Sequence, residues 1–277
     1  MQREVLAVSG NDRSPLFDHI HTETPVFLPG NMLESARIQK NLPPLLVPAG
    51  CLLDFDGELV DFLLKNGRAE LVSSWPCFHT RLYRWRVENK EFGIVGGTVG
   101  APFAVLVAEE LLALGCKALV TISSAGLIDD NFRTPSFLLI DRALRDEGTS
   151  HHYLPPGRFS FASLPLVDAV ARRLNDAALS FSRGSSWTTD APFRETAEII
   201  AARRAEGIIS LEMEAAAILA MGVALKKPVV CLAHITNSMA TRQDDFEKGG
   251  DTGTQQALDI CAIALTAALE HAGGGNL

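Results

Sequence analysis

The sequence predicts an α/β protein, a three-layer fold in which a central mixed sheet is flanked by helices. From about residue 50 onward, short apolar runs rich in Val, Ile and Leu alternate with longer amphipathic stretches. Strand and helix in alternation build a mostly parallel or mixed sheet covered on both faces. Several of the apolar runs also end in Gly-rich or Ser/Thr-rich segments directly before a helical pattern, which places candidate loops at the carboxyl ends of strands. The 277-residue chain is long enough for one large domain, and its 47% hydrophobic content supplies a substantial core.

Residues 1–48 form a polar, proline-punctuated extension packed on the domain, in which NMLESARIQKNL predicts one short helix with Asn31 as its cap. Residues 49–277 form a single α/β domain. GELVDFLLKNG predicts an amphipathic helix ending at Gly67, with Leu59, Phe62 and Leu63 on its buried face. RLYRWRV alternates apolar and basic residues as a half-exposed strand does, and EFGIVGG is a buried strand entering a Gly loop. APFAVLVAEELLALG is a helix with a Gly stop. KALVTISSAG predicts a strand followed by a small-residue loop, and SFLLIDRAL another strand. Residues 163–180 predict a helix with Ser163 as cap and Pro165 just inside it. GIISLEMEAAAILAMGVALKK reads as strand, turn and long helix, PVVCLAHITNS as a buried strand, and residues 254–271 as a closing helix.

The 33 acidic and 25 basic side chains give a net charge of −8, which carries no electrostatic footprint for a nucleic-acid backbone. No apolar run reaches the roughly 18 residues of a membrane span, and the N-terminus lacks the layout of a signal peptide. Cys51, Cys77, Cys116, Cys231 and Cys261 are scattered in apolar contexts without a CxxC pair, as inert buried thiols are. The expectation is a cytoplasmic protein without nucleic-acid or membrane partners, whose apolar surplus serves homo-oligomer contacts.

Chemistry concentrates at the predicted strand ends. In GGTVGAP (96–102) the small residues, Gly97 among them, let backbone N–H groups approach an anion at a helix N-terminus. The spacing is not GxGxxG, so no dinucleotide cofactor is expected. TISSAG offers Ser123 and Ser124 as neutral donors to an oxyanion or a sugar hydroxyl. In SLEMEAAA, Ser210 can cap the helix with Glu212 and Glu214 in its first turn. Glutamates two apart point about 200° from each other around a helix, so one faces inward, where donors such as a ribose diol would compensate its burial. WTTDAPFRE supplies Trp187 as a flat face for a base and Asp190 as a group that orients a heterocycle or caps a helix beginning near Pro192. HITNS leaves a buried strand with Asn237, which can donate to and accept from an amide-like ring edge. The pair His151-His152 has no third ligand at helical or hairpin spacing, so no metal is expected. Arg81, Arg84 and Arg86 read as a solvated strand face from which one Arg can reach a phosphate in a neighbouring subunit.

Taken together, LEMEAAAILAMGVALKKPVVCLAHITN, VGGTVGAPFAVLVAEELLALGCKALVTISSAGLI and WTTDAPFRE resemble the nucleoside phosphorylase and nucleosidase superfamily, over roughly residues 50–270. The resemblance implies a nucleoside phosphorylase-like fold and cleavage of the N-glycosidic bond of a nucleoside. Phosphorolysis to free base and ribose 1-phosphate is the first reading, with phosphate as co-substrate and no cofactor. A hydrolytic nucleosidase using water, or a non-catalytic nucleoside-binding relative, are the alternatives. It implies that Glu214 grips the ribose hydroxyls with Met213 beneath the sugar, that Trp187, Asn237 and Glu212 meet the base, and that Gly97, Ser123, Ser124 and Arg81 meet the phosphate or acceptor. Glu214, Asn237 and Asp190 would be the catalytic set. The chain departs from the phosphorylase pattern where Arg is expected: Thr121 opens the central motif, Ser123 replaces its Gly, and the early GDPxR loop has Glu34 or Leu59 in place of its Arg. Asn237 stands where several relatives carry an Asp general acid.

Overall fold

The computed structural model of the protein describes residues 14–129, 136–238 and 251–274, and its ten strands form one sheet. β1 (Gly50–Asp54) runs parallel to β4 (Lys90–Gly96) on one side and to β5 (Ala118–Leu127) on the other. β3 (Leu82–Val87) and β2 (Ala69–Leu71) extend the β4 side as antiparallel strands. Beyond β5 the sheet curls. β5 pairs with both β9 (Ser210–Glu212) and β10 (Val229–Ser238), β10 with β6 (Ser136–Asp146), β6 with β8 (Ser182–Thr189), and β8 with β9. These strands close into a ring, and β7 (Phe159–Phe161) adds to the outside of β6.

The helices form the two outer layers of an α/β nucleoside phosphorylase fold. α2 (Glu58–Lys65) and α4 (Leu164–Asp176) pack against the long closing helix α7 (Asp251–Gly274), which lies on β1, β5 and β10. α1 (Pro29–Gln39) packs on α3 (Ala101–Ala113), and α3 packs on α6 (Ala215–Leu225). α5 (Ala197–Ala205) is short and carries no buried residue. β1 and most of β5 are buried along their whole length, as strands covered on both faces must be. All five cysteines are buried and free. No helix among the described residues is long and apolar enough to cross a membrane.

Several local expectations are corrected. Asn31 does not cap α1: the helix begins at Pro29, whose fixed φ suits the first turn, and no side chain caps it. Ser163 precedes α4, but its hydroxyl makes no cap bond. The buried face of α2 is Leu59, Val60 and Leu63, with Phe62 only half-buried. TISSAG is not a loop, because β5 continues through it to Leu127. Ser210 lies inside β9 rather than at a helix start. Pro192 opens only a 3₁₀ turn, Pro192–Arg194, preceded by Ala191 without a side-chain cap, so Asp190 caps no helix there.

Candidate functional site

The cluster is built where β1, β4, β5, β8, β9 and β10 end. β4 runs into Gly97 and Gly100, whose φ values of +74° and +94° no β-carbon tolerates comfortably, and α3 starts at once after Gly100. This turn carries the Gly100 N–H onto Glu214 Oε1 at 2.6 Å. Glu214 is the residue preceding α6, and its Oε2 accepts the N–H of the half-buried Met213 at 3.2 Å. Burial pushes the Glu214 carboxyl up to about 8, with the charges of Glu212 and Asp56 adding.

Glu212 explains how Glu214 is held. Its Oε1 accepts the hydroxyls of Ser186 and Thr188 at 3.0 and 2.7 Å. Its Oε2 accepts the N–H groups of Glu214 and Ala215 at 2.7 and 2.6 Å. Glu212 therefore does the capping expected of Ser210, from the end of β9. Both of its oxygens are buried and engaged, which leaves none for a base; the expectation of base contact at Glu212 is replaced by a positioning role.

The acceptor side is acidic. The buried Asp54 accepts the N–H groups of Leu59 and Val60 at 2.8 and 3.0 Å, which ties the end of β1 to α2. Burial pushes its carboxyl up to about 7. The exposed Asp56 reaches across to the Ser124 N–H, accepting it at 2.8 Å. Between them lies a cavity of 20 Å³ lined by Asp54, Asp56, Glu58, Ser123, Ser124 and His234, with no Lys or Arg among the described residues of its wall. That volume holds about one water molecule. Asp56 and Glu58 were not singled out from sequence; the signal available was the acid-rich DFDGE directly after a buried strand.

Other expected residues fall elsewhere. The Gly97 N–H is spent on the Asp54 carbonyl at 3.1 Å, so it does not await an anion. Thr121, at the position of the missing Arg, is buried and stands opposite Cys231 in the β5–β10 register. Arg81 is exposed, just before β3, at the end of the sheet where Leu82 pairs with Val95 and β4 turns into Gly97. Arg84 and Arg86 both pair with Glu91. Asp190 follows β8 and accepts the Gly148 N–H at 2.8 Å, on the wall of a 530 Å³ cavity shared with Pro102, Leu106, His152 and Tyr153. Asn237 aligns by its backbone with Gly126 across a bulge in β10; its side chain lies outside the described residues.

Trp187 is the clearest correction. It is 2% exposed, donates its indole N–H to Asp146 at 3.0 Å, and packs with Ile128, Leu144, Ile208 and Leu211. A ring enclosed on all sides has no face to offer a base. Phe193 of the same motif is 98% exposed on the 3₁₀ turn after β8.

Fold and site together define an α/β protein whose strand-end cluster holds a buried, backbone-anchored carboxylate with an acidic cavity of about one water's size among its strand ends. The family model of the phosphorylase superfamily matches residues 48–270, and the chain belongs to that family. It is 22% identical over 160 residues to a DeoD-type purine nucleoside phosphorylase of Shewanella oneidensis, covering 57% of this chain and 68% of the relative. It is 23% identical over 145 residues to a uridine phosphorylase of Thermococcus kodakarensis, covering 48% of this chain and 52% of the relative. The crystal structure of uridine phosphorylase from Vibrio fischeri superposes with a TM-score of 0.66 at 17% identity, over 84% of this chain and 94% of that one.

Proposed function

We propose that this protein cleaves the N-glycosidic bond of a nucleoside. The observation that carries the reading is Glu214, held at the start of α6 by Gly100 and Met213 and braced from behind by Glu212. A carboxylate fixed in this way grips the 2′- and 3′-hydroxyls of a ribose and opposes the positive charge that grows on the sugar as the bond breaks. Phe193 stacks on the base, Met213 lies beneath the sugar, and Asp190 and Asn237 orient the base edge. Asn237 stabilises a leaving base by hydrogen bonding without protonating it.

Phosphate as acceptor is supported by relatives that are phosphorylases by name, and Ser124 and Arg81 are its candidate ligands. One observation favours water instead: Asp56 already takes the Ser124 N–H, and the adjoining cavity has room for one water among three carboxylates. A phosphate dianion there meets like charge, whereas a water meets a general base. Incubation of the purified protein with inosine, uridine and methylthioadenosine, with and without phosphate, tests both readings. Ribose 1-phosphate formed only with phosphate supports phosphorolysis, and free ribose regardless of phosphate supports hydrolysis. Binding measured by calorimetry without any base release would instead mark a non-catalytic nucleoside-binding protein and sink the enzymatic reading.

A further inference from the structure

The segment before α1 crosses the 3₁₀ turn Thr149–His152 and brings two histidines of the extension against the His151-His152 pair. His21 Nε2 lies 2.9 Å from the His151 carbonyl, and the edge of Phe17 meets the His151 ring with centroids 5.1 Å apart. The His19 ring sits 4.0 Å from that of His152 and 6.3 Å from that of His21. The four imidazoles hold no metal: among the described residues no group of three or more His, Cys, Asp or Glu is placed for one.

Their protonation state is set by geometry. Arg145 Nη2 lies 3.2 Å from His151 Nδ1. A guanidinium only donates, so Nδ1 must offer a lone pair and His151 is neutral. A proton on that nitrogen breaks the bond and leaves two cations in contact.

We propose that residues 14–28 form a pH-released strap, docked on the 149–152 turn while His151 and His152 are neutral and expelled when these two gain protons. The surrounding carboxylates are engaged by other groups. Arg145 adds positive charge from β6, and Glu147 accepts the Ser150 N–H at 2.9 Å. Asp190 is held by Gly148, and Glu109 of α3 is held by Tyr153. Asp18 and Glu23 belong to the strap itself and lie exposed. No carboxylate among the described residues forms an ion pair with any of the four imidazoles. Burial lowers both His151 and His152, with Arg145 and neighbouring histidines adding for His151 and the histidines alone for His152. A lowered imidazole favours the docked state above its ordinary value of about 6.5, and that advantage is lost as pH falls below it through the lowered values.

Release would reach the site through short connections. The turn packs on α6, which begins after Glu214, and on α3, and the residue before it holds Asp190. That regulatory meaning rests on the nucleoside reading, but the strap does not. Hydrogen exchange on the full-length protein, expressed as protection relative to the intrinsic rate at each pH, tests it. Protection of residues 14–28 should fall about tenfold between pH 8 and 5.5. The double variant His151→Gln/His152→Gln, which keeps an acceptor for Arg145 but cannot titrate there, should retain most of that protection. Protection that ignores pH in the wild type, or an equal fall in the variant, overturns the strap. Strap release in a protein that cleaves no nucleoside would overturn the functional reading alone.

Discussion

Asp56 accepts the backbone N–H of Ser124, 68 positions along the chain, and so places a negative charge at the spot where an anionic acceptor would seek a donor. If water is the acceptor, Asp56 is its general base. Asp56→Asn should then slow base release in phosphate-free buffer by about 10²-fold or more, with circular dichroism unchanged. A variant as fast as the wild type in phosphate-free buffer would remove that role.

Glu214→Gln should lower turnover by orders of magnitude, because a neutral amide cannot supply the negative charge that the ionised carboxyl, favoured as pH rises through about 8, sets against the sugar. Gln still accepts the Gly100 N–H, so thermal unfolding should stay near that of the wild type. Single-turnover kinetics would separate the chemical step from binding.

Glu212→Ala should act on stability first. It strands the backbone N–H groups of Glu214 and Ala215 in a closed interior, each at about 1–3 kcal/mol when left without a partner, and removes one bond from each of the Ser186 and Thr188 hydroxyls. Urea unfolding would show a midpoint shift larger than that of any exposed substitution, and Glu212→Gln should recover only part of it.

Phe193→Ala and Trp187→Phe should separate cleanly. The first removes a ring already in solvent, so unfolding should move within about 0.5 kcal/mol, while KM rises about tenfold, a typical worth of base stacking. The second should lower stability and leave KM unchanged. The opposite pairing would return Trp187 to the base site.

The buried carboxyls set a pH slope. Glu214, Asp54 and Glu195 are raised to about 8, 7 and 7, each chiefly by burial. A group raised on folding stabilises fully below its unfolded value, and that stability is lost as pH climbs through the folded value. The melting temperature should therefore fall between about pH 5 and 8, and Asp54→Asn should flatten part of the decline.

The elements were legible because their patterns are local. Apolar runs marked β4, β5 and β10, whereas β1 went unread, and the EMEA segment located Glu214 at a helix start. What escaped depends on chain crossings. Trp187 and Phe193 sit six residues apart in one motif, and only the packing of Ile208 and Leu211 over β8 decides which ring is enclosed. Asp56 looked like one acid in a turn because its partner, Ser124, lies on another strand. Ser210 was a plausible cap by composition, yet β9 pairing with β5 and β8 claimed it and passed the capping to Glu212.

The strand ring carries a consequence for how the chain is born. β5 and β6 are consecutive in sequence, but β10 stands between them in the sheet. Until residues 229–238 have left the ribosome, both strands present open edges, and unpaired edges in a growing chain invite association with others. Docking of β10 is therefore the event that makes the molecule safe from its neighbours, and a chain arrested before Val229 should be recovered with chaperones or in aggregates.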